Sequence, residues 1–305
     1  MAKPISSKSQ NNLVFFLFLL PVVLAFIMVM IIPFIMGVYY SFTDWNAITG
    51  TTVEWVGLKN YFVVFQDITY LHSFLITVAY AVLSIVIMNI CAFLFALLVS
   101  GKLRLTGLYR AGFFLPNLIG GLILGYVWQF IFNQAIPQLG KAINFLWLTE
   151  NLFLANRWLA LLAIVTVGTW QYAGYLMMIY LAAIQTIPES LLEAAQIDGA
   201  NPLQRLLHIT FPLVAPAFTV SMFLTLVNSF KQFDVNYALT NGGPSAMFMG
   251  RAIMSNQFLA LNIYQTAFSY RQLAQGQAKA VIFFIVIAVI SLIQVRANKK
   301  REIEM

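Results

Sequence analysis

Two short groups of residues carry most of the polar chemistry that the apolar part of this chain offers. Gln171, Tyr172 and Tyr175 interrupt one apolar run, and Thr225, Asn228, Ser229 and Gln232 interrupt another. Amides and hydroxyls both donate and accept hydrogen bonds, and a tyrosine face stacks on the apolar side of a ring. Polar groups within a membrane are costly unless they are paired or solvated in a cavity. Such residues therefore either line a polar path or bond one helix to another. Asn89 suits the second role. Lys279, in the last apolar run, either snorkels to an interface or faces a cavity, where it would favour an acidic solute. All of this is binding chemistry. No nucleophile elbow or zinc-binding helix is present, so a membrane enzyme is not supported. Cys91 is the only cysteine, and His72 and His208 lack ligand-like spacing, so no metal site is expected.

The elements that must position these groups follow from composition. Of 305 residues 61% are hydrophobic and 9% charged, against about 25% charged in a soluble domain. The chain reads as an all-α integral membrane protein of one transmembrane domain, residues 1–305. Six runs are long enough to span a bilayer: 13–38, 74–99, 111–132, 158–185, 214–234 and 274–295. Pro21 and Pro33 are expected to bend the first. That run is too long for a signal-peptide core and is read as a retained span. The formal charge of +7 sits at the ends of the apolar runs, which suits membrane topology and not nucleic acid. With the N-terminus inside, Lys3, Lys8, Lys102, Arg104, Arg110, Arg205, Arg296, Lys299, Lys300 and Arg301 fall on the inner side, so both termini are expected to be cytoplasmic.

Between the fourth and fifth runs lies a polar interruption, 187–212. Pro188 suits the first turn of a helical arm, and Asp198-Gly199 signals a turn in which Gly199 ends that helix in the left-handed conformation. Asn201 caps a second arm with Pro202 at its first position. Pro212 marks entry into the next span. In the assigned topology this hairpin is cytoplasmic.

Glu193-Ala194-Ala195, Gly199, Ile209 and Pro212 stand at the spacings of the EAA loop, with Phe211 where that motif has Leu. The chain thus resembles the permease subunits of ATP-driven (ABC-type) importers. Gly57-Leu58-Lys59-Asn60-Tyr61, Trp170, Tyr180-Leu181-Ala182, Phe233-Asp234 and Leu239-Thr240-Asn241-Gly242-Gly243-Pro244 resemble the maltose and multiple-sugar group of those importers. The resemblance covers nearly the whole chain. It implies that Glu193, Ala194, Ala195, Asp198, Gly199 and Pro212 couple to an ATPase. It also implies that a sugar passes between the fourth and fifth spans, near Tyr175, Thr225, Asn228 and Ser229. Implied partners are a second homologous permease, two copies of a cytoplasmic ATPase, an extracytoplasmic sugar-binding protein and membrane lipid, in a bacterial or archaeal cell membrane. The chain should hold no cofactor: Gly101-Lys102 and Gly140-Lys141 lack the first glycine of a nucleotide loop and are not followed by Ser or Thr. ATP and Mg belong to the partner ATPase. A stand-alone secondary transporter or channel is the alternative, though the spans contain almost no carboxylates to relay ions. A further alternative is an importer of the same type for a solute such as a polyamine or glycerol phosphate.

Overall fold

The computed structural model describes residues 7–46, 52–101 and 104–299. Lys3, Lys102, Lys300 and Arg301, used above for orientation, lie outside them. Among the described residues four unbroken helices are long and apolar enough to cross a membrane: Val14–Ser41, Ile68–Ser100, Arg157–Gln185 and Leu273–Asn298. Two more stretches reach that length only as bent pairs. Thr106–Leu118 meets Gly121–Ala142 at 97°, and Pro202–Leu213 meets Ala215–Phe230 at 67°.

Several boundaries differ from those expected. The second long helix starts at Ile68, because the Asp67 side chain accepts from Thr69 N and caps it there. The fifth ends at Phe230; Asp234, expected at the end of that span, opens a separate helix, Asp234–Thr240. The expected third span is broken. A tight turn at Leu115–Leu118 contains Pro116, Ile119 and Gly120 become extended, and the chain restarts at Gly121. The all-helical expectation needs one correction as well. Strands β1 (Ser245–Phe248) and β2 (Arg251–Met254) form an antiparallel hairpin in the register Ser245↔Met254 and Phe248↔Arg251. Met249 and Gly250 at its tip both have positive φ, the geometry that lets a two-residue turn match strand twist.

Three of the helical kinks share a cause. Wide π turns at Ile27–Ile31, Ile131–Ala135 and Leu206–Thr210 each stand just before a proline: Pro33, Pro137 and Pro212. A proline cannot donate to the carbonyl four residues back, and its ring collides with it. In each case that carbonyl (Val29, Asn133 or His208) lies inside the wide turn, which opens the ladder where the collision would fall. Pro21 is accommodated inside a continuous helix.

The chain separates into two compact units, Met1–Gln66 with Gln265–Ile282, and Asp67–Tyr264 with Phe283–Met305. In the first, the long N-terminal helix has none of its most apolar window buried, as suits a helix that is hydrophobic all round. The loop after it is fastened to the short helix Lys59–Gln66: Asn60 Nδ2 donates to the carbonyls of Ser41 and Thr43 at 2.9 and 2.7 Å, and Ser41 Oγ and Tyr61 OH share a 2.6 Å hydrogen bond.

In the second unit, Ile68–Ser100 lies along Arg157–Gln185, and Ala215–Phe230 packs on the former. Small residues make the close approach possible. Ala92, Ala96, Ala163 and Ala173 are buried, and Gly174 lies against the backbone of Phe113. Polar bonds seat the segment after the fifth helix on the second. Leu259 N donates to Thr77 Oγ1 at 2.9 Å, and within the segment Asn236 Nδ2 donates to the Asn256 carbonyl at 2.8 Å.

Candidate functional site

Thr225, Asn228, Ser229 and Gln232 are spaced three and four apart, which places them on one face where the helix Ala215–Phe230 ends. They line a cleft with Tyr172 and Leu176 of the Arg157–Gln185 helix and with Tyr80 and Met88 of the Ile68–Ser100 helix. The cleft holds about 10 Å³, the room one water needs. A sugar ring does not fit in it. Asn228 is exposed whereas Thr225 and Ser229 are buried, so the residues form a wall of graded access and not a closed pocket.

The wall is held from behind. Tyr180 OH donates to Asn89 Oδ1 at 2.7 Å, Asn89 Nδ2 donates to Thr225 Oγ1 at 3.3 Å, and Thr225 Oγ1 donates to the Ser221 carbonyl at 2.8 Å. Three helices are thereby fastened at one depth, and the Thr225 hydroxyl is spent on structure. Gln232 Nε2 donates to Tyr80 OH at 3.4 Å across the cleft. Tyr80 and Met88 did not stand out in the sequence. Their signal is the stripe Ser73, Thr77, Tyr80, Ser84, Met88, Ala92 and Ala96, buried small and polar positions recurring every three or four residues.

Three residues expected in the path do not line this cleft. Gln171 is buried, and its Nε2 donates to the Ile119 carbonyl at 3.0 Å, the backbone group freed where the third span breaks. A side chain that takes such a carbonyl is what makes a broken helix tolerable in lipid. Tyr175 is half-buried and packs into the apolar cluster around Met177 and Tyr180. Lys279 lies in the other unit, buried, with Nζ donating to Thr266 Oγ1 at 2.8 Å.

The polar hairpin folds by local rules. Its first arm is Glu189–Ile197, with Pro188 just ahead of it as cap and not in its first turn, since Pro188 has the extended ψ of 130°. Asp198 ends the arm and Gly199 takes φ +81°. Gly199 N donates to the Gln196 carbonyl and Ala200 N to that of Ala195, the paired bonds of a Schellman stop. Asn201 then caps Pro202–Arg205 reciprocally: its Oδ1 accepts from Gln204 N, and Gln204 Oε1 accepts from Asn201 N. Arg205 Nη1 donates to Gln196 Oε1 at 3.3 Å and links the two arms. The outer surface stays unspent. Glu193, Ala194 and Asp198 are exposed, Glu193 and Asp198 have no ion-pair partner among the described residues, and Ile197 is 86% exposed. Pro212 follows the wide turn that leads into the fifth helix.

Comparison with known proteins agrees with this arrangement. A sequence profile of the family described as binding-protein-dependent transport system inner membrane component matches residues 70–302. The chain is 47% identical over 296 residues to the probable starch degradation products transport system permease protein AmyD of Thermoanaerobacterium thermosulfurigenes, covering 97% of each. It is 30% identical to the multiple sugar-binding transport system permease protein MsmF of Streptococcus mutans, covering 89% of this chain and 90% of that one. It is 31% identical to the sn-glycerol-3-phosphate transport system permease protein UgpA of Agrobacterium fabrum, covering 83% of each. Its fold is similar to that of a bacterial ABC transporter involved in the import of the acidic polysaccharide alginate, with a TM-score of 0.79 at 20% identity, over 95% of this chain and 96% of that one.

Proposed function

The chain belongs to the family of binding-protein-dependent transport system inner membrane components, and from that premise we propose that it forms half of the translocation path of an ATP-driven carbohydrate importer. It is a multi-pass membrane protein of the bacterial cell membrane. In this reading both termini and the 187–212 hairpin face the cytoplasm, and the six apolar stretches are six spans, two of them bent.

The observation that carries the reading is the hairpin. Its internal hydrogen bonds use none of the side chains of Glu193, Ala194, Asp198 or Ile197, and these remain exposed on the elbow. A small-residue surface flanked by unpaired carboxylates suits docking into a cleft with an arginine partner. That partner is a cytoplasmic ATPase, present in two copies, which binds ATP and Mg; this chain binds neither. ATP favours one state of the complex over another and so drives the cycle. The wall Tyr172, Thr225, Asn228, Ser229 and Gln232 forms one side of a cavity whose other side comes from a second, homologous permease. An extracytoplasmic binding protein delivers the solute. The permeases named for starch degradation products and multiple sugars support a carbohydrate.

The test is purification from native membranes with the partners identified and counted. One further permease and two ATPase copies are expected. This chain recovered alone under every mild condition would overturn the reading. Reconstituted with its binding protein, the complex should hydrolyse ATP faster with a malto-oligosaccharide than with sn-glycerol 3-phosphate; the reverse order would move the solute to the phosphate class.

A further inference from the structure

A second polar cavity lies in the unit formed by Met1–Gln66 and Gln265–Ile282, and it holds about 190 Å³. Asp44, Trp45 and Asn46, just beyond the first long helix, line it with Lys59 and with Gln272 and Gln275 around the start of the last helix. Its frame is held by backbone bonds. Asp44 N and Glu54 O, Val56 N and Phe42 O, and Ala274 N and Trp45 O are paired at 2.8 to 3.1 Å. The Trp45 ring stacks on Tyr40 at 4.5 Å.

What points to a ligand is that these groups line one space, Asp44, Lys59 and Gln272 exposed along it and Trp45 and Gln275 half-buried, with hydrogen-bonding capacity that the protein does not use. Asp44 uses Oδ1 to accept from Glu54 N, which leaves Oδ2. The side chains of Trp45, Lys59, Gln272 and Gln275 make no hydrogen bond among the described residues. Donors and acceptors thus converge with an aromatic ring on a space far larger than the cleft between the spans. One carboxylate and one ammonium offset each other, so the cavity selects no net charge. Amides, an acceptor and an indole around a ring-sized space match a neutral polyhydroxylated ring.

We propose that Asp44, Trp45, Lys59, Gln272 and Gln275 form a subsite for a neutral pyranose ring, separate from the wall around Asn228. This rests on the carbohydrate reading above. The subsite holds a ring while the cleft between the spans is too small to admit one.

The test uses the complex with its partner permease and ATPase in lipid nanodiscs, without ATP or binding protein, and radiolabelled maltotriose in equilibrium dialysis. The wild type should bind about one maltotriose per copy of this chain. Trp45→Ala and Gln275→Ala should each weaken binding by about five- to tenfold, the loss of one stacking or hydrogen-bonding contact. Gly112→Ala, which has open space for its Cβ and lines neither this cavity nor the wall, should leave it unchanged. Gln275→Ala covers the case in which Trp45→Ala misfolds. Maltotriose that drives ATP hydrolysis in the full system, but binds the nanodisc complex with the same affinity in these variants or not at all, overturns the subsite and leaves the transport reading standing. Unchanged maltotriose binding with loss of binding-protein capture in the variants would make the cavity a seat for a protein loop, which also overturns it. ATP hydrolysis stimulated only by sn-glycerol 3-phosphate would sink both readings.

Discussion

The carbonyl of Phe113 presses against Gly174 so closely that a Cβ at Gly174 has no room. This contact brings the first arm of the broken third span onto the fourth helix. The obstacle is backbone, so it cannot rotate away. Gly174→Ala should therefore destabilise the protein by about 1–3 kcal/mol through overpacking. Thermal unfolding followed by size-exclusion chromatography in detergent should show a lower midpoint. Gly112→Ala, which has open space for its Cβ, should keep the wild-type midpoint.

Gln171 repairs the third-span break by donating to Ile119 O. Gln171→Leu leaves that carbonyl unpaired, at a cost of about 1–3 kcal/mol. Gln171→Glu keeps the shape but, ionised, offers only acceptors, so it should be no better. Both should lower the unfolding midpoint. In the fraction that folds, the half-saturating solute concentration should be unchanged. A raised half-saturation at normal stability would return Gln171 to the solute path.

Gly199 holds φ +81°, a conformation that costs other L-residues about 1–2 kcal/mol. Gly199→Val should deform the elbow and lower ATPase retention during purification, with bundle stability little changed. Gly199→Asn should retain more, since asparagine tolerates this region better.

Glu193 is exposed and has no ion-pair partner among the described residues. Glu193→Lys reverses the charge offered to a partner arginine and should release the ATPase. Glu193→Gln should retain part of it, and the loss should be larger at low salt, where surface charges act farther. Equal retention by all three forms would remove Glu193 from the interface.

Asn228 is the exposed member of the wall. Asn228→Ala should raise the half-saturating solute concentration by about tenfold or less, the worth of one hydrogen bond, without loss of the ATPase. Transport assays at several solute concentrations separate this from a coupling defect.

The hairpin was legible because its chemistry is local. Asp198-Gly199 and Asn201-Pro202 specify a stop and a start within five residues, and the fold builds both there. The wall was legible in part, for a different reason. Polar residues stand out against an apolar background, yet their partners do not. Gln171 and Tyr172 are neighbours in sequence, but one faces the Ile119 carbonyl and the other the cleft. Only the break 52 residues away separates them. Tyr80 looked like one aromatic among many until Gln232 reached it. Lys279 was expected to snorkel to an interface or to face a cavity, whereas it is buried and donates to Thr266, in a wide turn that no proline announces.

The wide turn at Leu206–Thr210 makes spacing a matter of angle. A π turn holds one residue more than the α-helix needs, and one residue corresponds to about 100° of rotation. The run from Gly199 to Pro212 is therefore a phase setting as well as a length. Deleting one residue there would either press the Pro212 ring onto the carbonyl four residues back or swing the Glu193 face by about a quarter-circle relative to Pro212. Two chains that share all the motif residues but differ by one position in this run would present the same surface in different directions.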